Sequence, residues 1–424
     1  MCKSENLTIV EFFDGVTIVN MASAIATKPS KVIFIGERKL IEKQKSNYHR
    51  FVNEYGLENI EFDYKSINRN SISQIISVLE EIVQAEDNCI FDLTGGEDLV
   101  LVAMGMVFEK YHRIQPGKVK MHRFNIETGK IYDCDSDGFV PQIDRPRLTV
   151  KNNIMLYGGT IIPYDGNKSG TYPWIIDSEF ELALERMWAR CKRAPDDWNN
   201  LVATITIANR ESGRDYHDLD FFMNKNLIKN SMPTNKKYTW SKKIGEEFCK
   251  NKIITEYVED ETCVRFRFKN EQIKLCLTKE GTLFEQIVML FAKRAKNGND
   301  FVYDDAMSGV CIDWDDTIHN SWDNDKDTIN EIDVILTKGL IPVFISCKNG
   351  QTKDTELYKL NTVAEKFGGP YAKKVLISTN LDNNGEKDCR SLIQRAKDMD
   401  ILLIKDVHKL DESEFKQVLK NIVN

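Results

Sequence analysis

No stretch of this chain holds eighteen uninterrupted apolar residues, so no membrane-spanning helix is expected. Met1-Cys2-Lys3-Ser4-Glu5 lacks the apolar core of a signal peptide, which points to a cytoplasmic protein. The ten cysteines include no CxxC pair, and the six histidines show no HExxH or other zinc spacing. Reduced thiols are therefore expected, neither a disulfide frame nor a zinc site. Internal repeats and low-complexity tracts are missing as well. Nor is there an excess of positive charge. A formal net charge of −7 argues against a protein coated in nucleic acid, while leaving room for a local basic groove. What remains is a soluble α/β chain whose 424 residues exceed one ordinary domain and require two or three.

Residues 1–150 alternate strand and helix patterns. Leu7–Phe12, Lys31–Ile35, Ile60–Tyr64, Cys89–Leu93 and Val119–Asn125 read as strands. Between them Ile18, Val19, Met21, Ala22 and Ile25 make one helical face, and Ser71–Val83 and Leu99–Tyr111 make others. This alternation predicts a parallel, doubly wound, Rossmann-like sheet, with a ligand crevice at the carboxyl ends of its strands. Asp14 and Asn20 follow the first strand, Gly36-Glu37-Arg38 the second, and Asp92-Leu93-Thr94-Gly95-Gly96-Glu97-Asp98 the fourth. Two glycines let backbone N–H groups approach an anion at a helix N-terminus, and Thr94 adds a hydroxyl. The same segment also suits a tight strand-to-helix turn with Glu97 and Asp98 as capping acids.

Residues 151–280 start with a connector marked by Gly158-Gly159, Gly166 and Gly170. Ser178 with Glu181 has capping-box spacing, and Phe180, Leu184, Met187, Trp188 and Cys191 line the helix that follows. Pro195 starts another helix, and Ile244–Cys249 a third. The alternating runs Ile253–Val258 and Cys263–Phe268 complete a helical, winged-helix-like module. Lys225, Lys229, Lys236, Lys237, Lys242, Lys243, Arg265 and Arg267, interleaved with Tyr238 and Trp240, suit a nucleic-acid backbone or a solvated charged face.

Residues 281–424 read as helix (Leu283–Ala295), strands (Gly309–Asp313, Glu331–Leu336, Ile341–Cys347), helix (Glu356–Phe367), strand (Lys374–Ser378), helix (Cys389–Ala396), strand (Ile401–Ile404) and a last helix. That order resembles the restriction-endonuclease-like PD-(D/E)xK core. Asp333 and Lys348 fall on neighbouring strands of one hairpin, with Glu285 on the leading helix. Asp333 and Glu285 are the expected ligands of Mn²⁺ or Mg²⁺, with the Cys347 carbonyl completing the shell and Lys348 orienting the attacking water. Ser346 stands where the pattern wants a carboxylate. Glu356 opens the next helix and is the candidate replacement, with Glu331 a weaker one.

With Thr94-Gly95-Gly96 at one end and Asn330-Glu331-Ile332-Asp333-Val334 and Phe344-Ile345-Ser346-Cys347-Lys348-Asn349-Gly350 at the other, the chain resembles the CRISPR-associated effectors that join a CARF sensor to a PD-(D/E)xK nuclease. The segments Glu356–Gly369 and Ala372–Ile377 share that look. The resemblance implies a homodimer in type III CRISPR defence. It implies activation by cyclic tetra-adenylate, or hexa-adenylate, and metal-dependent cleavage of single-stranded RNA or DNA. Thr94, Gly95 and Gly96 would contact the messenger, with Asp14, Asn20 and Arg38 beside them. The lysine of the usual TGGTK is replaced by Asp98. Two rivals stay open: a catalytically inactive, ligand-responsive DNA-binding regulator, and a ring nuclease acting on its own messenger.

Overall fold

The computed structural model describes residues 7–140, 145–166, 169–214, 217–315, 317, 319, 328–350, 352–381 and 386–423. Strands β1 (Leu7–Phe12) and β2 (Lys31–Gly36) are buried along all but their first residue, as strands covered on both faces must be. β3 (Glu61–Ser66) is largely exposed and forms the edge. With β4 (Asn88–Asp92), β5 (Val119–Asn125), β6 (Lys130–Asp133) and β7 (Gly138–Phe139) they make a seven-stranded sheet of order β3-β2-β1-β4-β5-β6-β7. Pairing is parallel from β3 to β5 and antiparallel beyond. Helices α1 (Thr17–Thr27) and α2 (Arg38–Tyr55) cover one face through Ile18, Met21 and Phe51. α3 (Ile72–Ala85) and α4 (Asp98–Ile114) cover the other through Ile75, Leu79, Val100 and Met104.

The connector holds more structure than its glycines announce. It contains α5 (Val150–Leu156) and the short β8 (Thr160–Ile161). β8 pairs with Ile312 and Asp313, far ahead in the chain, and so forms an edge of the C-terminal sheet. Residues that the sequence assigns to the middle segment are thus built into the last one. Gly159 permits this, because an added Cβ would collide with the Phe367 ring and lie 3.0 Å from the Asp313 carbonyl.

The middle comprises α6 (Ser178–Arg193), α7 (Pro195–Glu211), β9 (Asp220–Asn224), α8 (Lys225–Ser231), α9 (Lys242–Lys250), β10 (Ile254–Glu259), β11 (Cys263–Phe268) and α10 (Glu271–Thr278). Helix, strand, two helices and a hairpin follow the element order of a winged helix, with sheet order β10-β11-β9. The N-cap of α6 is Asp177, which accepts from the Phe180 N–H at 2.8 Å, not Ser178 as the capping-box spacing predicts. A carboxylate one residue earlier takes that position.

The last unit contains α11 (Thr282–Arg294), β12 (Lys296–Asn297), β13 (Asp300–Phe301), β14 (Asp305–Asp313), β15 (Ile329–Lys338), β16 (Ile341–Lys348), α12 (Asp354–Gly368), β17 (Lys373–Ser378), α13 (Glu386–Asp398), β18 (Ile401–Ile404) and α14 (Glu412–Asn421). Its sheet runs β18-β17-β16-β15-β14-β8, antiparallel through β14–β16 and parallel through β16–β18. Inward residues of one face (Val334, Leu336, Val343, Ile345) join Phe284, Ile287 and the middle module in one apolar cluster. Those of the other (Ile332, Ile335, Phe344) join α12 and, through α5, the helices α1 and α2 of the N-terminal unit. Each such fully buried aliphatic or aromatic side chain contributes about 1.5–3 kcal/mol. Strands β15 and β16 are therefore clamped from both sides. Among the described residues no helix is long and apolar enough to cross a membrane.

Candidate active site and sensor crevice

β15 and β16 form a tight hairpin in which Val334 pairs with Ile345, setting Asp333 across from Ser346. The Asp333 Oδ2 accepts three hydrogen bonds: from the Ser346 hydroxyl at 3.1 Å, the Cys347 N–H at 2.6 Å and the Lys348 ammonium at 3.3 Å. Ser346, in the place of the expected motif carboxylate, thus fixes the aspartate. The Lys348 Nζ also pairs with Glu356 Oε2 at 3.0 Å, and Glu356 pairs with Lys359 at 3.2 Å. Burial pulls the Lys348 pKa down, but the charge of Asp333 and the bond to Glu356 outweigh it and hold the ammonium above its usual range. Lys348 thus stands as a donor between the two carboxylates of Asp333 and Glu356.

Glu285 lies one helical turn after Gly281 on buried α11. Burial, then the charges of Asp333 and Glu331, raise its carboxyl well above the ordinary value. Gly281 sits at φ 88°, and a Cβ there would approach Glu285 Oε1 to 2.9 Å, so the backbone yields room to the carboxyl. Glu331 is held by Lys279 at 2.6 Å. Glu285, Glu331, Asp333, Lys348, Glu356 and Lys279 line one cleft of about 810 Å³, with Asn199, Asn200 and Lys236 from the middle module on its rim and Ser346 buried behind it. The structure therefore brings Glu285, Asp333, Lys348, Glu356 and Cys347 together. Among the described residues no three His, Cys, Asp or Glu side chains are close enough to cage a metal. Sequence reasoning missed Lys279 as well as the rim asparagines, whose only signal is non-local.

At the other sheet, Asp14 and the Thr94-Gly95-Gly96 turn are neighbours: an added Cβ on Gly95 would lie 3.4 Å from Asp14 Oδ2 and collide with Val19. Asn20 is fully buried, and its amide bonds the Asp14 backbone (2.7 and 2.9 Å) and the Tyr48 hydroxyl (2.8 Å). The Thr94 hydroxyl donates to Asp92 and accepts from the Phe124 N–H at 2.8 Å. Both side chains are thereby engaged in building the turns. Arg38 is exposed and pairs along its own helix with Glu42 at 2.8 Å. Arg69, which the sequence did not single out, bonds Glu97 at 2.7 Å and lies 4.0 Å from Glu37, bridging two of the crevice loops.

Three of the eight basic residues singled out in the middle module are ion-paired: Lys225 with Glu259 (2.7 Å), Lys236 with Glu280 (2.8 Å) and Arg267 with Asp220 (2.6 Å). Glu247 on α9 is held by Arg190 and Arg193 at 2.6 and 3.1 Å.

No family model matches the sequence, and a search of curated proteins finds no match. Solved structures do match. Protein VC1899 from Vibrio cholerae is similar over 98% of this chain and 97% of its own, with a TM-score of 0.69 and 17% identity. Can2 from Sulfobacillus thermosulfidooxidans, solved in complex with cyclic tetra-adenylate, is similar over the same shares, with a TM-score of 0.63 and 16% identity. At such identity the likeness establishes the fold: this chain shares its α/β architecture, end to end, with both proteins.

Proposed function

We propose that this chain is a cyclic-oligoadenylate-activated, metal-dependent nuclease that cleaves single-stranded RNA or DNA in type III CRISPR defence. The observation that carries this reading is the convergence of Asp333, Lys348, Glu356 and Glu285 in one open cleft. Can2, which shares the fold, was solved with cyclic tetra-adenylate, and this favours the tetra-adenylate ring as messenger over the hexa-adenylate one.

The donor set fits Mn²⁺ or Mg²⁺ bound through two carboxylates and water, not a closed protein cage. Burial and the crowding of Glu285 by Asp333 and Glu331 raise its carboxyl despite Lys279 and Lys348 nearby, as in an oxygen-rich pocket that a cation would relieve. Asp333, Glu285 and the Cys347 carbonyl would hold the cation, which when bound polarises the phosphate and supplies an acidic water. Lys348, kept charged by Asp333 and Glu356, orients the attacking water and meets the phosphate oxygens. Ser346 and the Cys347 N–H keep Asp333 in place, and Glu356 keeps Lys348 in place.

In the sensor, ligand contacts fall to backbone amides of the Thr94–Glu97 turn and to Asp14. Leu99, Val102 and Met106 are exposed along one face of α4, directly after that turn. A homodimer paired on this face would set two identical turns side by side, which suits a ring of even symmetry. Coupling has a physical route: α12 starts beside Lys348 with Glu356 and ends at Phe367 and Gly368, whose carbonyls accept from Asn153 (2.7 Å) and Tyr157 (3.0 Å). Burial raises the Tyr371 hydroxyl pKa just beyond, where Arg123, Glu127 and Asp14 of the N-terminal unit lie nearby. The acidic Glu246 and Glu247 on α9 weigh against the DNA-binding regulator.

The test is cleavage of labelled single-stranded RNA and DNA in Mn²⁺, with and without cyclic tetra-adenylate. Cutting only with both is expected. Tight messenger binding without cutting under any metal would overturn the nuclease half.

A further inference from the structure

Behind Glu285 lies a second cavity of about 260 Å³ with an aromatic wall. Tyr164, Tyr172 and Trp174 stand in a row there, ring centroids 4.9 and 4.7 Å apart in turn and ring planes inclined at 68° and 56°. None of the three is fully buried, unlike the aromatics of the core. Phe180, which is buried, backs the Trp174 ring in a parallel stack at 5.9 Å. Lys279 and Glu285 line both this cavity and the cleft, so the two spaces adjoin along a shared wall. Gly309 lies at the join. It falls between Ser308 and Val310, whose partners Val334 and Ile332 flank Asp333. A Cβ on Gly309 would stand 3.9 Å from both Glu285 Oε2 and Glu331 Oε1, so its lack of a side chain leaves the junction open.

The aromatic row is held before any ligand arrives. The Ile162 N–H donates to the Cys311 carbonyl at 2.9 Å, and the Cys311 N–H donates to the Thr171 hydroxyl at 2.9 Å. Tyr164 donates to Glu271 at 3.1 Å, and the Ile175 N–H donates to Gln272 at 2.6 Å. Partly exposed rings fixed beside the candidate cleft offer aromatic faces of the kind unpaired bases stack on.

We propose that this cavity is a base-stacking subsite, in which Tyr172 and Trp174 receive an unpaired nucleobase flanking the phosphate at Asp333 and Lys348. The proposal rests on the nuclease reading of the adjoining cleft and deepens it, since a base held within a duplex has no free face to offer. Trp174 and Tyr172 are then specificity-determining residues for single strands over duplex, and Lys279 is the cation at the threshold.

The experiment uses the full chain with Ca²⁺ in place of the activating metal, and fluorescein-labelled single-stranded dodecamers of RNA and DNA. One abasic site is walked through each dodecamer, and binding is read by anisotropy. For the unmodified protein, one or two abasic positions should weaken binding roughly 5- to 150-fold, the range for loss of one stacked base. In Trp174→Ala and Tyr172→Leu the dependence on abasic position should flatten, while Trp174→Phe should restore it and so separate stacking from misfolding. A flat walk in the unmodified protein overturns the proposal, as does a walk that Trp174→Ala leaves unchanged. Because the readout is binding, it stands apart from the cleavage assay: a protein that binds with the expected position dependence but never cuts would refute the nuclease reading alone.

Discussion

Glu11, Asp92 and His122 stand at one register on β1, β4 and β5, and Asp333 and Lys348 stand on β15 and β16. Both groups sit on adjacent strands of a sheet, yet they face opposite surroundings. The first is sealed beneath α1. Glu11 is fully buried with neither oxygen bonded among the described residues, and burial, then Asp92, raises its carboxyl far above the ordinary value. Burial also pushes Asp92 up, but His122 at 3.6 Å and the Thr94 hydroxyl reverse the sign and keep it ionised. The second group opens into the cleft. Polar side chains of the N-terminal sheet thus shape the turns from inside, and those at the cleft face whatever enters it. Substitutions should accordingly change stability at one end and chemistry at the other.

The largest effect is expected in the cleft. Asp333→Ala or Lys348→Ala should lower cleavage at least about 10³-fold in single-turnover assays, with messenger binding by calorimetry unchanged. Full activity in Asp333→Ala would dissolve the contrast. Thr94→Val tests the opposite end. It removes a partner from both Asp92 and the Phe124 N–H, so urea unfolding should show a loss of about 1–3 kcal/mol. If stability held and only messenger affinity fell, Thr94 would belong to the ligand and not to the turn.

Glu11→Gln should alter the response to pH. The native carboxyl keeps its proton above the unfolded pKa, so the unmodified protein loses stability as pH rises through the interval between the two values. The variant lacks that loss. Its Tm should exceed the parent's at pH 8, by something on the order of 2–4 °C, with the gap closing toward pH 4.5. Equal pH slopes for the two proteins would show that Glu11 is ionised in the fold. Smallest is Ser346→Ala, which removes one of three donors to Asp333. Cleavage should fall only about 2- to 10-fold, as the loss of a single neutral hydrogen bond predicts. A fall as deep as that of Asp333→Ala would make the serine a direct participant.

Much of this was legible in the chain. β1, β5, β11 and β18 have the ends that alternation and β-branched content assign, and the Asp333–Lys348 hairpin is visible because its strands are adjacent in sequence. Glu356 could be suspected since helix entry one loop after Lys348 is a local matter. β8 could not: two residues carry no period, and their partner lies 150 residues away. Neither could Arg69 or Lys279, whose placement depends on packing between distant elements. Asn20 and Thr94 show a different limit. A polar residue at a strand end has the same letter whether its side chain meets a ligand or ties down the turn beneath it, and here both tie the turn. The element order of the middle module was readable, but the pairing of its cations with Glu259, Glu280 and Asp220 was not.

The apolar cluster that runs from Phe13 and Ile18 through Ile154 to Phe344 and Phe367 has a consequence for how the molecule comes apart. Among the described residues one apolar cluster joins the two ends of the chain, so melting should show them losing structure in one cooperative step. A fragment lacking residues 1–157 would present the outer faces of Phe344, Leu360 and Phe367 to solvent and should aggregate. A C-terminal half released by proteolysis is accordingly not expected to persist as a separate folded unit.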